Sequence, residues 1–159
     1  TGFDIVSAGR SATIAGSSPL ESDLVLQLTK LRIAQALDTP AAHQEPTTFL
    51  RYQPGQEYLA HYDLIRPHEE AAAAEELRLL GQRVATVLVY LNEGYAGGET
   101  HFPHLEWGFK GKPGDALIFW NMSATGERER ASLHAGLPVQ SGEKWVLSQW
   151  VRAKPVPLI

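Results

Sequence analysis

From residue 47 onward the chain alternates short apolar stretches, rich in β-branched and aromatic residues, with turns that carry glycine or proline. This punctuation restricts the fold more than any other property, because many short strands separated by tight turns bury their apolar faces by packing into a sandwich or barrel. Residues 47–52 and 58–63 flank Gln53-Pro54-Gly55-Gln56, where proline presets φ and glycine supplies the left-handed turn position. Residues 84–91 form a continuous apolar run with β-branched members, the pattern of a buried strand. Further strands are expected around 99–103, 106–110, 115–120, 131–135 and 144–152. Turns are expected over the glycine-rich 92–98, at Lys112-Pro113-Gly114 and at Gln140-Ser141-Gly142. The expectation is a mainly β fold, a double-stranded β-helix (jelly roll), with an N-terminal helix packed outside.

Residues 1–17 read as extended and loop-like. Ser18-Pro19-Leu20-Glu21 reads as a capping box with proline at the first helical position. It predicts a helix over about 19–38, with Leu20, Leu24, Leu28 and Leu31 near one face and Ile33, Ala34 and Leu37 widening the stripe. Thr39-Pro40 stops it. The acidic, alanine-rich stretch that starts at Pro67 has high helix propensity but a thin apolar face. Two readings stand for it: a mobile lid beside the site, and a solvated surface helix or disordered loop.

At 159 residues the chain suits one core. We expect a single domain over 1–159, with 1–45 as helical and loop support and 46–153 as jelly-roll core. The absence of an initial Met suggests a trimmed or excised domain. A hydrophobic content of 43% and a net charge of −4 without a basic stripe fit a soluble protein and disfavour a nucleic-acid partner. No apolar run approaches the ~20 residues of a membrane helix, and the first residues lack signal-peptide character. There is no cysteine, which excludes disulfides, thiolate metal sites and a cysteine nucleophile. Any metal must be held by His and carboxylates, and a reducing, cytoplasmic compartment fits.

His61-Tyr62-Asp63 places an imidazole and a carboxylate two residues apart, hence on one face of a strand. His134 on a neighbouring strand could complete a 2-His-1-carboxylate triad, leaving open positions on Fe(II) for a cosubstrate and O2. Lys144 lies on an apolar strand and suits a dicarboxylate; with period 2 it shares a face with Val146, Ser148 and Trp150. Taken alone, His61 and Asp63 fit a surface pair on an edge strand better. His134 could be a core histidine, and Lys144 an edge lysine that resists aggregation. His101 and His104 lack an evident third ligand and read as surface residues, and Trp107 and Trp120 read as packing.

Several collinear stretches tip the balance. They are Leu50-Arg51-Tyr52, Gly55-Gln56-Glu57-Tyr58 leading to His61-Tyr62-Asp63, Gly81-Gln82-Arg83-Val84-Ala85-Thr86 with Tyr90-Leu91, and Gly97-Gly98-Glu99-Thr100 followed by Phe102-Pro103. Lys112-Pro113-Gly114-Asp115-Ala116-Leu117, His134-Ala135-Gly136-Leu137-Pro138-Val139, and Gly142-Glu143-Lys144-Trp145 with Trp150 complete the set. Together they resemble the prolyl 4-hydroxylase family of Fe(II)/2-oxoglutarate-dependent dioxygenases, its bacterial members above all. The match is strong over 45–152 and weak over 10–44.

The resemblance implies His61, Asp63 and His134 as iron ligands. It implies Lys144 as the partner of the far carboxylate of 2-oxoglutarate, assisted by Tyr52 and Thr100, with lysine here marking the collagen-type branch. Tyr58, Arg83 and Trp150, and with them Glu45 and Arg10, match peptide-side positions. The implied cofactors are Fe(II), 2-oxoglutarate and O2, with ascorbate as an optional addition. The implied reaction hydroxylates an unactivated C–H, foremost of peptidyl proline, and releases succinate and CO2, so a peptide or protein substrate is the expected partner. A free amino acid or small molecule is the alternative substrate, and a catalytically silent metal-binding sensor the alternative function. The departures lie on the substrate side: Arg10-Ser11-Ala12, the 67–80 insertion, and Val151-Arg152 after Trp150.

Overall fold

A computed structural model describes residues 9, 11–16, 23–67 and 71–157. Arg10 and the Ser18-Pro19-Leu20-Glu21 box lie outside the described residues. The elements run β1 (Thr13–Gly16), α1 (Leu24–Leu37), β2 (Thr48–Tyr52), β3 (Tyr58–His61), α2 (Ala71–Leu80), β4 (Arg83–Tyr90), β5 (Ala96–Gly97), β6 (Thr100–Phe102), β7 (Trp107–Phe109), β8 (Ala116–Trp120), β9 (His134–Gly136), β10 (Val139–Ser141) and β11 (Lys144–Arg152).

Antiparallel pairing builds a five-stranded sheet in the order β1-β2-β11-β4-β8, a four-stranded sheet β3-β9-β6-β7 and a β10-β5 pair. This is the expected mainly β, jelly-roll architecture. The long central strands β4 and β11 alternate cleanly. Ala85, Val87 and Val151 point to one side, where they bury Ile33 and Leu37 of α1. Leu88, Tyr90 and Val146 point to the other, where they pack with Phe109, Leu117 and Phe119.

The helix corrects the sequence expectation twice. It starts at Leu24 rather than near 19, because Asp23 caps it: the carboxylate accepts the Leu26 N–H at 2.9 Å. The stripe Leu24, Leu28, Leu31 faces outward, with exposures of 73%, 50% and 53%. At ~100° per residue these leucines lie opposite Ile33 and Leu37, and the sheet takes the β-branched Ile33 side. Strands β1, β5 and β10 form where a loop or turns were expected. Each is short and lacks an apolar alternation, so only pairing reveals it. The expected strand at 131–135 is split: a 3₁₀ turn covers Arg130–Ser132, and β9 begins at His134. Trp107, expected to pack, stacks on Phe109 with ring centroids 5.8 Å apart and stays half-exposed, whereas Trp120, also expected to pack, is 51% exposed. The described end of the 67–80 insertion is the helix α2, tied to the end of β11 by Arg152 Nη1 donating to Glu76 Oε1 at 2.9 Å. No helix among the described residues is long and apolar enough to cross a membrane.

Candidate active site

Strand register creates the first half of the site. β3 pairs with β9 so that His61 stands directly opposite His134, their ring centroids 4.3 Å apart. Asp63 follows two residues after His61. Its Oδ1 is 3.4 Å from His61 Nε2, and its Oδ2 is 3.7 Å from His134 Nε2. Each imidazole is turned by its other nitrogen: His61 Nδ1 lies 2.8 Å from Leu59 O and His134 Nδ1 2.9 Å from Ser132 O. A carbonyl can only accept, so both Nδ1 atoms carry a proton, and with a metal bound both Nε2 atoms would offer it their lone pairs. The three ligand atoms lie within 4.8 Å of one another, the one such group among the described residues; His101 and His104 join no second one. Two neutral imidazoles and one carboxylate on one side of a point suit a divalent first-row metal with open positions, Fe(II) among them.

Asp63 is buried. Burial alone would raise its carboxyl. The His61 hydrogen bond, the charges of His134 and His61, and the Thr86 hydroxyl outweigh that and hold it well below the usual range. Thr86 donates to Asp63 Oδ2 at 2.6 Å and accepts from Asn121 Nδ2 at 2.9 Å, all three groups being buried. His134 is pushed down, chiefly by burial. The arrangement is therefore an ionised carboxylate on which two imidazole Nε2 atoms converge.

The second half is the inner face of β11. Lys144, Val146, Ser148 and Trp150 all line one cavity together with His61, Asp63 and His134. The face expected from period 2 is the face observed. Lys144 pairs across the strand with Tyr52, and Thr100 of β6 lines the same cavity. Lys144 is 4% exposed, and its Nζ donates to Gly98 O at 2.7 Å. Burial lowers its pKa to about 8, with Glu99 opposing and Lys110 adding. The rings of Tyr52 and Tyr90 lie 5.4 and 5.5 Å from Nζ. Tyr90 OH lies 2.8 Å from Thr100 Oγ1 and also donates to Phe109 O, so it orients the threonine hydroxyl. Gly98 holds φ +71°, and a Cβ there would meet Val139 Cγ2 at 3.0 Å, so glycine lets the chain present its carbonyl to Lys144.

At the mouth, Tyr58 stacks on His61 with centroids 3.6 Å apart. Arg83 lies over the Trp150 ring at 3.9 Å. Glu45 is drawn back from the cavity and grips Arg83 in a two-point pair, accepting Nε at 2.7 Å and Nη2 at 2.8 Å. A groove of about 380 Å³ runs outward from Tyr58, Arg83 and Trp150 along α2. Thr86, Tyr90 and Arg152 have no role in the sequence reading, and Asn121 is absent from it; all four support the site. Thr86 had a signal, a polar residue inside the apolar run 84–91. Tyr90 stood in a matching stretch and Arg152 among the substrate-side departures, while Asn121 carried no signal.

The profile of the 2OG-Fe(II) oxygenase superfamily matches residues 47–152. The chain is 38% identical over 143 residues to Prolyl 4-hydroxylase 1 of Arabidopsis thaliana, covering 82% of this chain and 48% of the relative. It is 38% identical over 123 residues to a putative prolyl 4-hydroxylase of Acanthamoeba polyphaga mimivirus, covering 77% of this chain and 50% of the relative. The chain thus spans about half the length of the curated relatives it matches. Among solved structures it is similar to the viral collagen prolyl hydroxylase of Paramecium Bursaria Chlorella virus-1 in its 2OG complex. The TM-score is 0.73 and the identity 32%, covering 89% of this chain and 79% of that one.

Proposed function

We propose that this chain, which belongs to the prolyl 4-hydroxylase family of the 2OG-Fe(II) oxygenase superfamily, is an Fe(II)- and 2-oxoglutarate-dependent dioxygenase that hydroxylates peptidyl proline. The observation that carries this reading is Lys144. A buried ammonium whose hydrogen bond goes to a carbonyl, with no carboxylate of the described residues in ion-pair contact, faces the His61–Asp63–His134 group across one cavity. Such a charge is costly unless a ligand anion completes it.

When bound, Fe(II) and 2-oxoglutarate supply the chemistry: oxidative decarboxylation to succinate and CO2, coupled to hydroxylation of a C–H by O2. In this reading the protein's groups bind and orient. The Nε2 atoms of His61 and His134 and the Asp63 carboxylate hold the metal, and Asp63 offsets part of its charge. Lys144 would donate to the far carboxylate of 2-oxoglutarate, with the hydroxyl of Tyr52 as a further donor and Thr100 beside it. Leu50, Leu88 and Val146 exclude water from the space between. Tyr58, Arg83 and Trp150 edge an open groove rather than a closed pocket, which favours an extended peptide over a free amino acid. The cysteine-free composition suits action in a reducing compartment such as the cytoplasm.

The test is succinate formation by Fe(II)-loaded protein under air, with and without ascorbate, across a panel of proline-containing peptides. Peptide-stimulated turnover with hydroxyproline in the product is the expected result. Turnover that no peptide raises moves the substrate to a small molecule, and iron binding without turnover indicates a silent sensor. One support can be tested separately. Thr86→Val keeps the shape but removes the donor to Asp63 and strands Asn121 Nδ2. It should lower metal affinity by ~10–100-fold, as loss of a ligand-orienting bond does. An unchanged Fe(II) or Mn(II) titration would show that Asp63 needs no such partner.

A further inference from the structure

We infer that Glu76 of α2 is a positioning residue for the peptide groove, acting through the buried Arg152 and Glu45 on Arg83 and Trp150. The inference rests on the peptide-hydroxylase reading of the site. Arg152 ends β11 just after a register shift, and it is 0% exposed. Its Nη1 donates to Glu45 Oε1 at 3.0 Å and to Glu76 Oε1 at 2.9 Å. The same Glu45 carboxylate holds Arg83, whose guanidinium lies on Trp150. Four charges therefore close on one another: two carboxylates, Glu45 and Glu76, against two guanidiniums, Arg83 and Arg152. The set is neutral only with Glu76 in place. Without it, the buried Arg152 and the partly buried Arg83 compete for one carboxylate, and one positive charge is left over in a poorly solvated site.

Glu76 also belongs to the groove itself. Ala72, Ala73 and Glu76 share one face of α2, and all three line the groove opposite Arg83 and Trp150. The helix is further fixed where Lys154 Nζ donates to Arg78 O at 2.8 Å. The ion pair thus couples two things a peptide would feel: the seat of α2, which is one wall, and the plane of Arg83 on Trp150, which is the other. The set touches the metal end only through the backbone, where Arg83 Nη1 donates to Asp63 O at 3.4 Å.

Arg152→Gln removes a buried group and could fail to fold. Glu76 is 42% exposed, so Glu76→Gln tests the same link from its solvent side. The first readout is amide exchange over α2 in protein without metal or cosubstrate. Faster exchange in Glu76→Gln than in wild type is expected, and unchanged exchange overturns the proposal. The second readout uses the proline peptide that best stimulates wild-type turnover. Glu76→Gln should raise its KM about tenfold while kcat, and the affinity for 2-oxoglutarate, stay within about twofold, as expected for displaced binding groups away from the reacting centre. Glu76→Asp should recover part of the loss. An unchanged peptide KM, or a parallel loss of 2-oxoglutarate affinity, overturns the positioning role. A wild type that no peptide stimulates refutes the peptide reading instead, and the exchange result still decides whether Glu76 seats α2.

Discussion

Replacing His134 with alanine should abolish turnover and metal binding together, a loss well beyond the ~10–100-fold typical of losing a supporting hydrogen bond. The geometry explains the severity. His134 is buried, paired in register with His61, and held by Ser132 O so that Nε2 points at the shared centre. His61 and Asp63 alone would leave the metal without the third donor of the group. The substitution also removes a charge that helps keep the Asp63 carboxyl low, so that carboxyl titrates higher in the variant. Alanine opens space beside Phe102 and Phe119, whose ring centroids lie 5.9 and 4.7 Å from that of His134. His134→Gln fills most of this space and serves as the folding control. Metal titration and succinate formation, with circular dichroism for both variants, decide the matter. Wild-type turnover in a folded His134→Ala protein would sink the triad assignment.

The parts of the site that follow strand periodicity were legible in the sequence. A period of two puts Lys144, Val146, Ser148 and Trp150 on one face, and that face lines the cavity. Spacing put His61 and Asp63 on one face but fitted a surface pair as well, and it was the family resemblance that made them, with His134, a ligand set. Long strands were legible because β4 and β11 carry many apolar residues in a row. Short ones were not: β5 is Ala96–Gly97, and its existence depends on β10 across the gap. The charge network was hidden for a different reason. Glu45, Glu76, Arg83 and Arg152 are far apart in sequence, and their meeting is set by the β4–β11 register and the shift between Val151 and Arg152. Helix α1 shows the limit of amphipathic reasoning. It is apolar on two sides, and counting leucines picks the outward one.

Lys144→Met should weaken 2-oxoglutarate binding by about 100-fold or more, since removing one partner of a buried ion pair costs ~3–5 kcal/mol. The same change should stabilise the protein when no cosubstrate is present. Lysine titrates near 10.5 in the unfolded chain and at about 8 when buried here. Below pH 8 both states are charged, and the folded state carries the whole desolvation cost, roughly 3 kcal/mol by proton linkage. Between the two pKa values the unfolded chain binds the extra proton, so wild-type stability from this group rises with pH. Above 10.5 the cost is gone. The stability advantage of Lys144→Met should therefore be largest at neutral pH and shrink from about pH 8 upward. Cosubstrate binding runs the other way. A carboxylate favours the charged lysine, so wild-type affinity for 2-oxoglutarate should be flat below pH 8, fall above it, and take up a proton there. Calorimetric titration in two buffers of different ionisation enthalpy measures that proton, and denaturant unfolding of both proteins across pH measures the stability difference. An equally stable Lys144→Met with unaltered 2-oxoglutarate affinity would mean that another group holds the carboxylate. A lysine that costs stability when the cavity lacks its anion and returns it on binding is the behaviour expected of a cosubstrate anchor rather than of a structural core residue.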